Sequence, residues 1–246
     1  MIYYKNILLS VFLFFSSELL SAERSWFDEP ISINQAYITD AEAIILESLK
    51  QRGWEVKEKS PIMITAWLND YKGYELVLEI KHDNSQISFN QLSFKRVDCK
   101  SKSKKRCKAS TKYSDKWRLY LRKNIAMNIH KRAMDHLLRD KQIRNAWLDK
   151  FKNGDVALKT KLARNLIDIE YFNPNALAEI VSQVDVNYQR NNLSSDEVQQ
   201  YAFFCKVLAR SNQEQYKGLL SQVSKKAKSR KLRNYVKGYL TKMASS

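Results

Sequence analysis

The sequence predicts an α+β fold: an N-terminal antiparallel meander sheet covered by two helices, followed by an all-α region of stacked helical repeats. Three observations carry this reading. Apolar residues alternate with a period of two between about residues 54 and 94, and with a helical period on both sides of that stretch. Strand signals vanish after the second helical stretch. Glycine and proline number only 5 and 3 in 246 residues, which favours long regular elements over glycine-lined phosphate cradles.

The first helix is predicted in "TDAEAIILESLKQRGW". Thr39 or Asp40 is its cap, Ala41, Ile44, Ile45 and Leu49 form its apolar face, and Gly53 is its stop. Trp54 and Val56 mark a short first strand. "IMITAWLND", "YELVLEIKHD" and "QISFNQLSF" follow as a meander, separated by Asn69-Asp70 with Lys72-Gly73 and by Asp83-Asn84-Ser85. Three or four strands are expected. A long helix begins near Ser114 or Asp115. Its stripe of Trp117, Leu121, Ile125, Ile129, Ala133 and Leu137 is spaced to cover one face of the sheet. Beyond it, helices are expected at about 141–152, 155–169, 174–190, 195–210, 212–226 and 229–243. Short connectors make successive helices antiparallel; ordered amphipathic pairs suggest an α-solenoid fragment, and the absence of a strict sequence period leaves an irregular helical bundle as the other reading.

The first residues predict compartment. Lys5 gives a positive start, Ile7 to Phe15 is almost wholly apolar, and Leu19-Leu20-Ser21-Ala22 precedes Glu23. This is the layout of a secretory signal peptide with cleavage after Ala22, too short to span a membrane. The expected organisation is a signal peptide over 1–22, a sheet-bearing domain over 23–140 and a helical domain over 141–246. Export would place Cys99 and Cys107, eight positions apart in "VDCKSKSKKRCKASTKY", in an oxidising compartment, where they read as a disulfide closing a basic loop. Free thiols and a metal site are the other readings. Cys205, in the apolar context "QQYAFFCKVLAR", reads as a buried small residue.

Two stretches carry a resemblance. "YAFFCKVLARSNQEQYKGLLSQVSKKAKSRKLRNYVKGYLTKM" resembles the C-terminal HEAT-like segments of small exported bacterial proteins of unassigned function. The front half is similar to their exported domains, in the order helix, "GW", an "ITAWL"-like strand, a strand ending Lys81-His82-Asp83, and a helix bearing Ile129-His130. The resemblance implies a sheet-bearing domain followed by HEAT-like helices, and it implies no catalytic residues.

Charge is the strongest functional signal. The chain carries a formal +17. Between Lys95 and Arg132, fifteen lysines and arginines face two acids, Asp98 and Asp115. The candidate anion- or partner-binding residues are Lys100, Lys102, Lys104, Lys105, Arg106, Lys108, Lys112, Arg118 and Arg122. Tyr113, Trp117 and Tyr120 lie among these cations and offer stacking surfaces, although the position of Trp117 on the apolar stripe favours core packing. Export makes physiological nucleic acid an unexpected partner. A second run, "KKAKSRKLR", reads first as a helix-end feature that complements terminal carbonyls.

No catalytic constellation emerges. Asp83 is expected to accept hydrogen bonds from its own turn, and His130 and His136 are six apart and so point to different faces of a helix. Ser110, Ser114 and Ser211 lack a nucleophile elbow, and Asp168 and Glu170 do not face each other. The expectation is a non-enzymatic periplasmic protein-interaction adaptor or accessory factor without metal or cofactor. The alternative is a module binding anionic lipid or lipopolysaccharide phosphate through the basic patch 95–132.

Overall fold

The computed structural model describes residues 29–83, 85–97 and 109–244. Its backbone divides into two units between Ala126 and Met127, within one long helix. The elements of the first unit are β1 (Ile31–Ser32), α1 (Ala41–Gln51), β2 (Glu55–Ser60), β3 (Met63–Tyr71), β4 (Tyr74–His82), β5 (Gln86–Arg96) and the start of α2 (Thr111–Leu137). The sheet order is β1-β5-β4-β3-β2, antiparallel throughout. It has five strands where three or four were expected. The additional one, β1, is two residues long and pairs Ile31 with Ile87 and Ser32 with Gln86, too short to leave a period in the sequence.

Local chemistry sets the boundaries. The Asp40 carboxylate accepts from the Ala43 amide at 2.8 Å, capping α1. Gly53, at φ +70°, ends that helix in the left-handed conformation open to a residue without a Cβ. The Asp83 Oδ1 accepts from the amides of Ser85 and Gln86 at 2.6 and 2.8 Å, so the carboxylate is spent on its own turn, as expected.

Register builds one apolar face. Ile64, Ala66 and Leu68 of β3 lie opposite Ile80, Leu78 and Leu76 of β4, and Ile80 and Leu76 lie opposite Phe89 and Phe94 of β5. A bulge in β5 opposes Val77-Leu78 with Ser93 and Gln91, turning the extra residue Leu92 out to 51% exposure. That is why "QISFNQLSF" alternates imperfectly. Helices α1 and α2 lie over this face and meet through Asn124, 2% exposed. Its amide donates to Gln51 Oε1 at 2.8 Å and its carbonyl accepts from Arg52 at 3.3 Å. A buried amide so matched avoids the cost of an unpaired polar group. The opposite face carries Trp67 beneath Lys57 at 4.7 Å and the Glu75–Lys95 pair at 2.9 Å.

The second unit holds the end of α2, then α3 (Lys141–Asn153), α4 (Val156–Asp168), α5 (Pro174–Asn187), α6 (Ser195–Arg210), α7 (Lys217–Lys226) and α8 (Arg230–Ala244). Four starts are capped by side chains the sequence displays: Asp140, Asp155, Asn173 and Ser194, the last in a full capping box with Glu197. The helix expected over 212–226 begins as a 3₁₀ turn, Glu214–Tyr216, after Asn212 at φ +53°. Alternate helices pack side by side: α3 on α5, α4 on α6, α6 on α8. Consecutive pairs therefore stack in two layers, the arrangement of a helical-repeat domain. Trp147, Phe151 and Phe204 are fully buried, and Trp147 meets Phe151 edge to face at 5.2 Å.

One expectation is corrected. The structure contains no disulfide bond among the described residues, where the lone cysteine, Cys205, is free. The Cys99–Cys107 bridge is therefore withdrawn; both residues lie outside the described ones. The physical reason is that an eight-residue spacing does not by itself bring two Cα atoms to the roughly 4.4–6.8 Å a disulfide requires. Residues 1–28, which include the expected signal peptide, also lie outside the described residues.

Cys205 is wholly buried, and burial pushes its thiol up to about 12 from an ordinary value of 9.0. A raised folded-state value means stability that is intact below the unfolded value and is lost as pH climbs toward the folded one. Thermal melts are therefore expected to fall as pH rises above about 9, and Cys205→Ala is expected to flatten that fall. Native protein treated with iodoacetamide should leave the Cys205 peptide unmodified until denaturant is added. Modification of that peptide at equal rates in native and denatured protein would contradict this.

Candidate functional site: an aromatic and basic end of the sheet

At the end of the sheet where β3 turns into β4, five aromatic rings lock together. Trp117, only 8% exposed, is the hub. It meets Tyr71 at 5.2 Å, Tyr74 at 5.7 Å, Tyr113 at 5.9 Å and Phe94 at 6.1 Å between ring centroids. Tyr74 also stacks on Phe94 at 5.5 Å. Three elements bring these rings together. The β3–β4 turn supplies Tyr71 and Tyr74, the last residues of β5 supply Phe94, and the first turns of α2 supply Tyr113 and Trp117. The Val97 amide donates to the Gly73 carbonyl at 2.9 Å and ties the end of β5 to that turn.

The rings pass from core to water. Tyr71 and Tyr113 are 43% and 44% exposed, and Tyr120, further along α2, is 44% exposed. Cations sit on this fringe. Lys72 lies 5.4 Å from the Tyr71 ring, Arg96 5.7 Å from Tyr74, and Lys116 5.6 Å from Tyr120. Such placement over an aromatic face steadies a cation. Lys112 is exposed next to Tyr113. Of the nearby acids, Glu75 pairs with Lys95 at 2.9 Å and Asp115 with Arg118 at 3.1 Å. The Lys95 ammonium holds the Glu75 carboxyl below its usual range.

The residues singled out from sequence divide into three groups. Lys100, Lys102, Lys104, Lys105, Arg106 and Lys108 lie outside the described residues; in the chain their segment follows Val97, which is tied to this end of the sheet. Lys112 stands on the fringe. Arg118 and Arg122 do structural work instead. Arg118 is 14% exposed and held by Asp115, while the Arg122 guanidinium lies 5.8 Å over Phe89 and donates to the Glu29 carbonyl. Sequence reasoning counted Arg96 only within the Lys95–Arg132 patch, took Lys72 only as a turn residue, and missed Tyr71, Tyr74 and Phe94 as site residues. Their signal was present as "YKGY" in the hairpin turn and "FKR" closing the last strand.

The other candidates resolve into structure. His82 is buried, with no hydrogen-bond partner at Nε2, and Asp83 serves its turn. Burial alone lowers the affinity of His130 for a proton. In the second basic run, Arg233 donates to the carbonyls of Ala227 and of Lys228, the latter at 3.1 Å, closing the end of α7. Among the described residues no cluster of His, Cys, Asp and Glu is arranged to hold a metal ion, and no helix is long and apolar enough to cross a membrane. Comparison with family models, with curated proteins and with solved structures finds no match.

Proposed function

We propose that this protein acts by binding, without a catalytic step or cofactor, and that the aromatic, basic end of its sheet docks on an anionic lipid surface. The observation that carries the reading is the fringe of half-exposed Tyr71 and Tyr113 around the buried hub Trp117, with Tyr120 further along α2, and with Lys72, Arg96 and Lys116 seated over Tyr71, Tyr74 and Tyr120. Tyrosine suits a headgroup layer because its ring is apolar and its hydroxyl is wet. Lysine and arginine there are each worth about 1 kcal/mol against anionic headgroups. The hub matters because rings already held by Trp117 lose little freedom on docking.

The leader-like start, with Lys5 before Ile7 to Phe15 and Leu19-Leu20-Ser21-Ala22 after it, supports export to the periplasm. In that compartment the anionic lipid surface is that of the envelope. The adaptor reading attaches to the second unit, whose two-layer stack of helices offers an extended surface to another protein.

The test is co-sedimentation of the full chain with vesicles of phosphatidylglycerol and phosphatidylcholine, against phosphatidylcholine alone, at low and high salt. Binding confined to the anionic vesicles and weakened by salt is expected. Equal binding to both compositions, or none to the anionic one at low salt, would refute the proposal. A parallel arm with lipopolysaccharide separates its phosphates from those of the bilayer.

A further inference from the structure

A second charged surface lies on the helical unit, far from the sheet end in sequence and built on a different principle. Helices α4 and α6 are not consecutive, yet they pack side by side. Residues Gln199, Phe203, Lys206 and Arg210 recur along α6 at helical spacing, while the residues between them are buried. Phe203 is half-buried in this row, and two cations lie over its ring: Arg164 of α4 at 4.5 Å and Lys206 at 5.8 Å. Arg164 therefore reaches across from one repeat to a ring on the next.

The local charges are unequal. Lys206, Arg164 and Arg210 all act on Asp168, although burial wins and raises its carboxyl above the ordinary value. Arg210 and Lys131 share Glu170, at 3.8 and 3.9 Å. Among the described residues, no carboxylate lies within ion-pair distance of Arg164 or Lys206. Phe203 steadies both cations, and Asp168 acts on them from beyond ion-pair distance, so neither is taken up by a direct ion pair.

We infer that the Arg164–Phe203–Lys206 row is a docking site for an extended acidic peptide segment of another protein. A guanidinium takes a carboxylate with two parallel hydrogen bonds, an ammonium takes a second, and the ring between them takes an apolar side chain. The same row is ill suited to a bilayer. Asp168 and Glu170 stand beside it and repel a uniformly anionic sheet, whereas a single strand places its carboxylates only over Arg164 and Lys206. The inference is independent of the lipid proposal, which concerns the other unit.

The probe is a short fluorescent peptide of alternating glutamate and alanine with one central tyrosine, titrated into the full chain by anisotropy. Arg164→Glu with Lys206→Glu is expected to weaken binding about tenfold or more. Lys225→Glu with Lys226→Glu, the same change of net charge at the end of α7, is expected to leave it within about twofold. A peptide with glutamine in place of glutamate should not bind. Circular dichroism establishes that each variant folds, and Arg164→Gln with Lys206→Gln replaces the charge-reversed pair if it does not. Equal weakening by the two pairs would show attraction by net charge alone and overturn the site. Unchanged affinity in the Arg164/Lys206 variant, or loss of vesicle binding in place of peptide binding, would overturn it as well.

Discussion

Phe204→Ala is expected to destabilise the helical unit by about 3–5 kcal/mol, the range for deleting a fully buried aromatic side chain. Phe204 is wholly buried in α6, which packs on α4, α5 and α8, so no single neighbour can move to fill the space. Its ring also meets Tyr201 edge to face at 6.1 Å, and alanine leaves that tyrosine without its aromatic partner. Because repeats in a stack are stabilised mainly by their neighbours, a hole in a shared helix weakens several interfaces together. Urea denaturation followed by circular dichroism measures the effect. Hydrogen exchange should place it in residues 141–244. A destabilisation under about 1 kcal/mol would mean that α6 is not the shared centre of the stack.

Removing the charge from the aromatic fringe is expected to abolish vesicle binding while leaving the fold intact. The variant combines Lys72→Asn, Arg96→Gln, Lys112→Gln and Lys116→Gln. Asparagine is chosen at position 72 because Lys72 sits at φ +55°, a conformation asparagine tolerates better than most residues. At about 1 kcal/mol for each cation near an anionic surface, four such changes remove about 4 kcal/mol, close to a thousandfold in affinity. Substitutions at exposed positions should cost the fold about 0.5 kcal/mol or less apiece. Tyr71→Ala with Tyr113→Ala supplies the complementary result: weaker binding that keeps its salt dependence, since it deletes rings and no charge. Vesicle affinity unchanged by the four charge substitutions would place recognition elsewhere.

Much of the architecture was legible in the sequence. Most helix starts were legible from local breaks such as Asn173-Pro174, and the caps that set them, Asp140, Asp155, Asn173 and Ser194, lie within three residues of the amides they satisfy; the long helix begins at Thr111, three residues before the expected Ser114. The core stripe of α2 was visible because its residues repeat every four positions: Trp117, Leu121, Ile125 and Ile129 are buried, whereas Ala133 and Leu137 at its end are only partly so. By contrast, β1 and the bulge at Leu92 were invisible, since each is defined by what a strand pairs with and not by its own composition.

The candidate site was legible only in part. The density of lysine and arginine between Lys95 and Arg132 pointed to this end of the sheet. It did not separate cations facing solvent from those turned to structural use. Arg118 and Lys116 look alike in sequence, yet one is held by Asp115 and the other lies over Tyr120. Only the helix phase against the sheet distinguishes them.

What the chain dictates alone is whatever acts within a few residues: caps, turns, the alternation of strands and the turn-by-turn recurrence of helices, and the sign of its charge. Those terms divide it into a sheet-bearing part and a run of paired helices. Tertiary structure decided which distant side chains meet, because the aromatic cluster joins residues from Tyr71 to Trp117 through strand register and helix placement. The same holds for Arg164 and Phe203, brought together by packing of alternate helices. Such pairings depend on the closure of long loops and on shape across layers, and no short stretch of sequence encodes either.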